Sequence, residues 1–140
     1  MKLNEILEQV QWATGPNLKH AQPMAQRLQS PERDDYVLVE VDIERLWDQL
    51  DTGSKVDLSS EEGGGQSMRT RIPKAKSHWE GGGYMDPSSV VYNKYKDTFD
   101  VSDGRHRIVA AHQMGERIVP ILIPDYQLEV FKEKLGAREI

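Results

Sequence analysis

The stretch FDVSDGRHRIVAA, residues 99–111, gathers the side chains of this 140-residue chain best suited to chemistry. An extended run ends at Asp103-Gly104, and a helical pattern opens on Arg105, His106 and Arg107. The amino end of a helix carries partial positive charge, so three cation-capable side chains there are in electrostatic conflict. A bound anion resolves it: helix N–H groups and arginine forks both suit phosphate oxygens. Gly104 allows a sharp turn and close approach of a ligand. His106 can donate a hydrogen bond or shuttle a proton. Asp103 can cap the helix, serve as acid/base or hold a metal. The two arginines can equally be paired with structural acids, and both readings stand at this level.

Charge supports the first reading locally. Residues 66–107 hold eight Lys/Arg against five Asp/Glu, a balance of +3, while the whole chain is at −5 and the remainder therefore at −8. A positive segment in an acidic chain makes a local anion site plausible and argues against wholesale coating of nucleic acid. Arg69 and Arg71, with Lys74 and Lys76, lie between Gly63-Gly64-Gly65 and Gly81-Gly82-Gly83 and are candidates to close over a polyphosphate as a lid. No G-x-x-x-x-G-K-[ST] loop occurs, so the glycine triplets read as flexible loops. Glu40 and Asp42 are candidates for a base or a Mg²⁺ ligand, with helix capping the simpler role for Asp42. His20, His78, His106 and His112 lack metal-ligand spacing, and with no cysteine there is no thiolate chemistry and no disulfide. Trp79, Tyr84, Tyr92 and Tyr95 lie among the basic residues, where they are either a stacking surface for single strands or ordinary core and rim.

The elements that must position these residues follow from periodicity. Leu3, Ile6, Leu7 and Val10 predict a helix ended by Gly15-Pro16, and Ala21, Met24, Ala25 and Leu28 predict a second, together a helical extension over 1–30. Residues 36–41, YVLVEV, predict a strand. Asp42 then caps a helix with Ile43, Leu46, Trp47 and Leu50 on its buried stripe. Residues 51–66 read as loop, with a short helix beginning near Pro73. Strands are expected at 90–92 and 97–101, a helix over 104–114 capped by Asp103 and stopped by Gly115, and a strand at 119–123. Asp125 is expected to cap a last helix, 125–136, burying Leu128, Phe131 and Leu135. The strand–helix–strand unit at 97–123 predicts a parallel crossover. The sum is a single α/β (α+β) domain over 1–140, a small mixed sheet with flanking helices. Mean hydropathy is −0.67. No apolar run approaches a membrane span, and the amino terminus lacks a signal-peptide layout, so a cytoplasmic protein is expected.

Residues 99–124, FDVSDGRHRIVAAHQMGERIVPILIP, resemble the core motif of the ParB/sulfiredoxin-like superfamily: strand, Gly-x-x-Arg turn, helix with small residues, glycine, then a proline-flanked strand. YVLVEVDIERL at 36–46 and MDPSSVVY at 85–92 resemble the flanking elements, which places the core at 36–124. The resemblance implies a nucleotide site for ATP or CTP, with Mg²⁺ as companion ion, in which Gly104, His106 and Arg107 match the phosphate-binding turn. Arg105 stands where sulfiredoxins keep a catalytic cysteine and CTP-dependent partition proteins a glutamate, so sulfiredoxin chemistry is excluded. Three functions follow: a phosphotransferase or nucleotide phosphohydrolase using Asp103 and His106, with Arg69, Arg71, Arg105 and Arg107 on phosphates; a non-catalytic nucleic-acid- or protein-binding regulator or inhibitor from a mobile element; or a ParB-like nuclease.

Overall fold

The computed structural model describes residues 10–14, 36–51, 58 and 66–140, with side chains from 71 onward in the helix that opens at 66. The two helices expected over 1–30, apart from residues 10–14, and most of the 51–66 loop lie outside these residues. Among the described residues the order is β1 (Tyr36–Asp42), α1 (Ile43–Asp48), α2 (Gln66–Glu80), β2 (Ser88–Asn93), β3 (Thr98–Asp103), α3 (Arg105–Gln113), β4 (Ile118–Pro124), a 3₁₀ turn (Asp125–Gln127), α4 (Leu128–Leu135) and β5 (Arg138–Glu139). The fold is the expected mixed α+β type, one five-stranded sheet ordered β3-β2-β4-β1-β5 with flanking helices.

β1 follows from a run of β-branched residues, with Val39 and Val41 alternating into the core. Asp42 caps α1 as expected, its Oδ1 accepting the Arg45 N–H at 3.0 Å. α1 buries Ile43, Leu46 and Trp47. β4 pairs antiparallel with β1 over its whole length, Tyr36 opposite Pro124 through Asp42 opposite Ile118. Ile121 and Ile123 stand beside Val39 and Val37 on the same side of the sheet, and Phe99, Phe131 and Leu135 close the core there. Phe99 meets Phe131 edge-on at 4.8 Å and Tyr92 at 5.1 Å between ring centroids.

Three expectations are corrected. The unit at 97–123 is not a parallel crossover between its own strands. β3 folds back on β2 as an antiparallel hairpin at the sheet edge, and β4 enters on the far side of β2, parallel to β2 at Ser88–Ile121 and Ser89–Leu122. A turn at residues 94–97, short enough for a hairpin, fixes β3 beside β2 before the helix begins. α2 starts at Gln66, seven residues before Pro73, and Pro73 lies inside it on the exposed side. The tolerated proline reflects tertiary packing: Ile72, Ala75 and Trp79 are buried, and that apolar face outweighs one missing backbone bond. Asp125 makes no capping hydrogen bond; a 3₁₀ turn intervenes and α4 opens after Gln127, while Phe131 and Leu135 are buried as expected.

Two side-chain arrangements stabilise the frame. Trp79 is 1% exposed, donates its Nε1–H to the Gln11 carbonyl at 2.7 Å and meets Trp12 edge-on at 5.2 Å. Residues 11–13 thereby lie along Met85, with backbone bonds at 3.0 and 3.1 Å. The Gln127 amide accepts the Tyr92 N–H at 2.9 Å and donates to the Tyr92 carbonyl at 3.0 Å, extending the β2 ladder where β4 has diverged.

Candidate functional site

The turn at Gly104 is built by three segments. β3 delivers Asp103, the segment before β2 supplies Asp86, and β2 opens on Ser88. Gly104 is buried, sits at φ +87° and is the residue on which α3 opens, with no side-chain cap. Asp103 therefore does not cap α3; it is the last residue of β3 and its extended backbone points its carboxylate elsewhere. The Gly104 carbonyl accepts two bonds, from the Arg107 N–H at 3.1 Å and from the Ser88 hydroxyl at 2.7 Å. Ser88 is fully buried, and this bond satisfies it.

Arg107 folds back across this turn. Its side chain is 11% exposed; Nη1 donates to the Asp86 carbonyl at 2.6 Å and Nη2 to Asp103 Oδ2 at 3.1 Å. The guanidinium lies so close to Gly104 that a Cβ there would come within 2.7 Å of Cζ. The residue that matches the family's phosphate contact thus ties β3, α3 and the segment before β2 to one another. Of the two readings open in sequence, pairing of an arginine with a structural acid is what this geometry displays for Arg107 and Asp103.

His106 is half-buried at the same turn, and its pKa is lowered to about 4. Desolvation is the main cause, followed by the positive charges of Arg107 and Arg71, with Asp103 acting in the opposite sense. The influence of Arg71 is itself structural information: α2 packs against α3 and brings an exposed arginine to the amino end of α3. Arg105 is half-buried beside them. For Arg69 only the backbone is described, within α2. The structure therefore gathers Asp103, Gly104, Arg105, His106, Arg107 and Arg71 at one turn.

The histidine yields a pH prediction. The unfolded chain takes up a proton near 6.5, and the folded chain does not until about 4. Below pH 6.5 the unfolded state binds more protons, so stability falls as pH drops through that window. Denaturant midpoints measured from pH 7 to pH 4 are expected to decline, and His106→Gln is expected to flatten the decline. An unchanged slope in the variant would assign it to other groups.

Other candidates lie apart. Glu40 pairs with Arg138 at 2.8 Å, and Asp42 is spent on its cap with Arg117 at 3.7 Å. The far end of α3 is what approaches α1, through His112 and Glu44 at 3.5 Å. Nine helical residues separate the two ends of α3, about 12 Å, so neither acid is placed to serve the Gly104 turn. Among the described residues no three His, Asp or Glu side chains gather in a group that could hold a metal ion. Trp79 is core, and Tyr92 packs on Phe99, so the four aromatics do not form one stacking surface. Sequence reasoning missed Ser88 and Asp86. A serine two residues before Val90, on the buried side of a strand, is the one available signal, since a hydroxyl in such a place needs a partner.

No helix among the described residues is long and apolar enough to cross a membrane. No family model matches the chain, and no curated protein matches it. Among solved structures the chain is similar to the Oncogenic Suppression Activity protein, a plasmid fertility inhibition factor, with a TM-score of 0.54 and 14% sequence identity over 73% of this chain. The chain spans 57% of that protein's length. The likeness is one of fold.

Proposed function

We propose that the chain is a non-catalytic binding protein of a mobile element, a regulator or inhibitor that engages an anionic partner on the face shared by α2 and the amino end of α3. One observation carries the reading: both candidate acid/base groups are occupied or poorly tuned. Asp103 is paired with Arg107 at 3.1 Å. His106, with its pKa near 4, is a weak base at neutral pH, whereas efficient acid/base catalysis wants a pKa near the working pH. Arg71 and Lys74 are exposed cations on this face, and the fold-level neighbour is named as a plasmid fertility inhibition factor.

The partner class is tested by mobility shift on duplex and single-stranded DNA over a salt series. A phosphate partner gives affinity that falls steeply with salt and is weakened by Arg71→Glu and Lys74→Glu. A salt-insensitive shift, or none, moves the partner to protein. Phosphate release from ATP, CTP or GTP with Mg²⁺ is expected to stay at background. Turnover that disappears in Asp103→Asn or His106→Gln would overturn the non-catalytic reading, and nicking of supercoiled plasmid would replace it with a nuclease.

Nucleotide binding is the second reading, favoured by the left-handed glycine at the turn and by the delivery of Arg71 to it. A thermal-shift screen over the same nucleotides tests it, because a ligand that binds the native state raises apparent stability by mass action. Arg71→Ala, at an exposed helix position, is the suitable control.

A further inference from the structure

Arg71 is useful at the Gly104 turn only if α2 holds one orientation over α3. Among the described elements, α3 is the one that packs extensively on α2. A helix resting on a single partner can roll about its own axis. A roll of about 30° carries a side chain at the helix surface, about 5 Å from the axis, through roughly 3 Å. That is enough to take an exposed arginine away from the first turn of α3, so α2 needs a second anchor.

Residues 11–13 supply it. The Gln11 carbonyl uses both lone pairs: it accepts Trp79 Nε1–H from α2 at 2.7 Å and the Met85 N–H at 3.1 Å. One oxygen thus ties the end of α2 to Met85, and the next residue, Asp86, accepts from Arg107 at 2.6 Å. Ala13, fully buried, donates its N–H to the Met85 carbonyl at 3.0 Å. The half-buried Trp12 ring stands edge-on to Trp79. The connection from α2 to Asp86 is closed as well. Gly82 and Gly83 donate to the Trp79 and His78 carbonyls at 2.9 Å each, and His78 Nε2 lies 2.7 Å from the Tyr84 carbonyl oxygen. A Cβ on Gly83 would collide with the His78 ring. The glycine triplet that reads as a flexible loop is therefore a closed turn, and at this end α2 is fixed rather than hinged.

We propose that Trp12 is a positioning residue for the face shared by α2 and the amino end of α3: the strap at residues 11–13 acts through Trp79 to hold α2 where Arg71 stands at the Gly104 turn. The importance of this placement for binding rests on the function proposed above; the placement itself is tested without a ligand.

His106 is the reporter, since it is faced by Arg107 of its own helix, Asp103 of β3 and Arg71 of α2. Its titration is followed by NMR in the full chain, with amide exchange of α2 as the second readout. Arg71→Ala is expected to raise the His106 pKa toward its ordinary value, by removing a nearby positive charge. Trp12→Ala is expected to raise it too, and to speed exchange of residues 72–79 at least about tenfold. Arg71→Ala added to Trp12→Ala is expected to raise it little further, because the arginine has already left. Trp12→Phe should restore the wild-type titration. Trp79→Phe, which keeps a ring and removes the donor to Gln11, should shift it in the same direction and keeps the test open if Trp12→Ala does not fold. A His106 titration unchanged in Trp12→Ala and Trp79→Phe, or a full further effect of Arg71→Ala in the Trp12→Ala background, would overturn the proposal. If the titrations respond as expected while wild-type chain binds neither DNA nor nucleotide, the positioning role stands and the reading of the face as an anion site fails.

Discussion

Gly104→Ala is expected to lower stability by about 3 kcal/mol, with contributions from left-handed backbone and from crowding. In a chain of this size that corresponds to a fall in melting temperature of about 10 °C. The residue sits at φ +87°, where a Cβ is unfavourable in itself. The Cβ would also stand 2.6 Å from Ser88 Oγ and 2.7 Å from Arg107 Cζ. Ser88 is fully buried and cannot withdraw, and Arg107 can withdraw only by giving up Asp86 and Asp103. Gly115 provides the comparison: at φ +101° it has nothing within 4 Å of a new Cβ, so Gly115→Ala carries only the conformational part, about 1 kcal/mol. Thermal melts of the two variants check this. Equal losses would mean that the turn around Gly104 relaxes freely and that Arg107 is not locked across it.

Arg107→Ala is expected to cost a similar amount, about 3 kcal/mol, because the bond to the Asp86 carbonyl is charge-assisted and its loss leaves a poorly solvated acceptor. The two legs of the contact are unequal. Asp103 is 74% exposed, and a pair with one partner in solvent contributes little. Asp103→Ala should therefore cost only about 0.5 kcal/mol. Arg107→Lys keeps the charge but cannot hold two acceptors at once, so it should recover less than half of the loss. Gly104→Ala combined with Arg107→Ala should fall short of additivity by about 1 kcal/mol, since removing the guanidinium makes room for the new methyl group. Denaturant melts of the set decide it. A near-silent Arg107→Ala variant would return this arginine to the role of a ligand contact. From sequence alone that substitution looks like a clean probe of phosphate binding; in the structure it also breaks a strut of the fold, which is why Arg71 is the better probe.

Much of the fold was legible locally. Valine and isoleucine runs specified β1 and β4, the spacing of Ile43, Leu46 and Trp47 specified α1, and Asp42 and Gly115 marked ends where the structure has them. Each of these is a short-range effect, a side chain acting on its own backbone or on the next turn. What failed was non-local. Pro73 suggested a helix start, but packing of Ile72, Ala75 and Trp79 carried the helix seven residues further toward the amino end. Asp103 suggested a cap, but its strand continued to it and Gly104 took the capping position.

The candidate site divides in the same way. The sequence by itself determined that a glycine turn ringed by Arg105, His106 and Arg107 opens α3, because chain order alone puts those residues there. Only the tertiary structure decided what they do. It brought Ser88 from another strand, Asp86 from the segment before it and Arg71 from another helix, turned Arg107 inward onto a carbonyl, and buried His106 enough to hold it neutral. The physical reason is that burial and charge are properties of the assembled surroundings. An arginine's partners and a histidine's proton are set by groups far away in sequence, which periodicity and spacing do not encode.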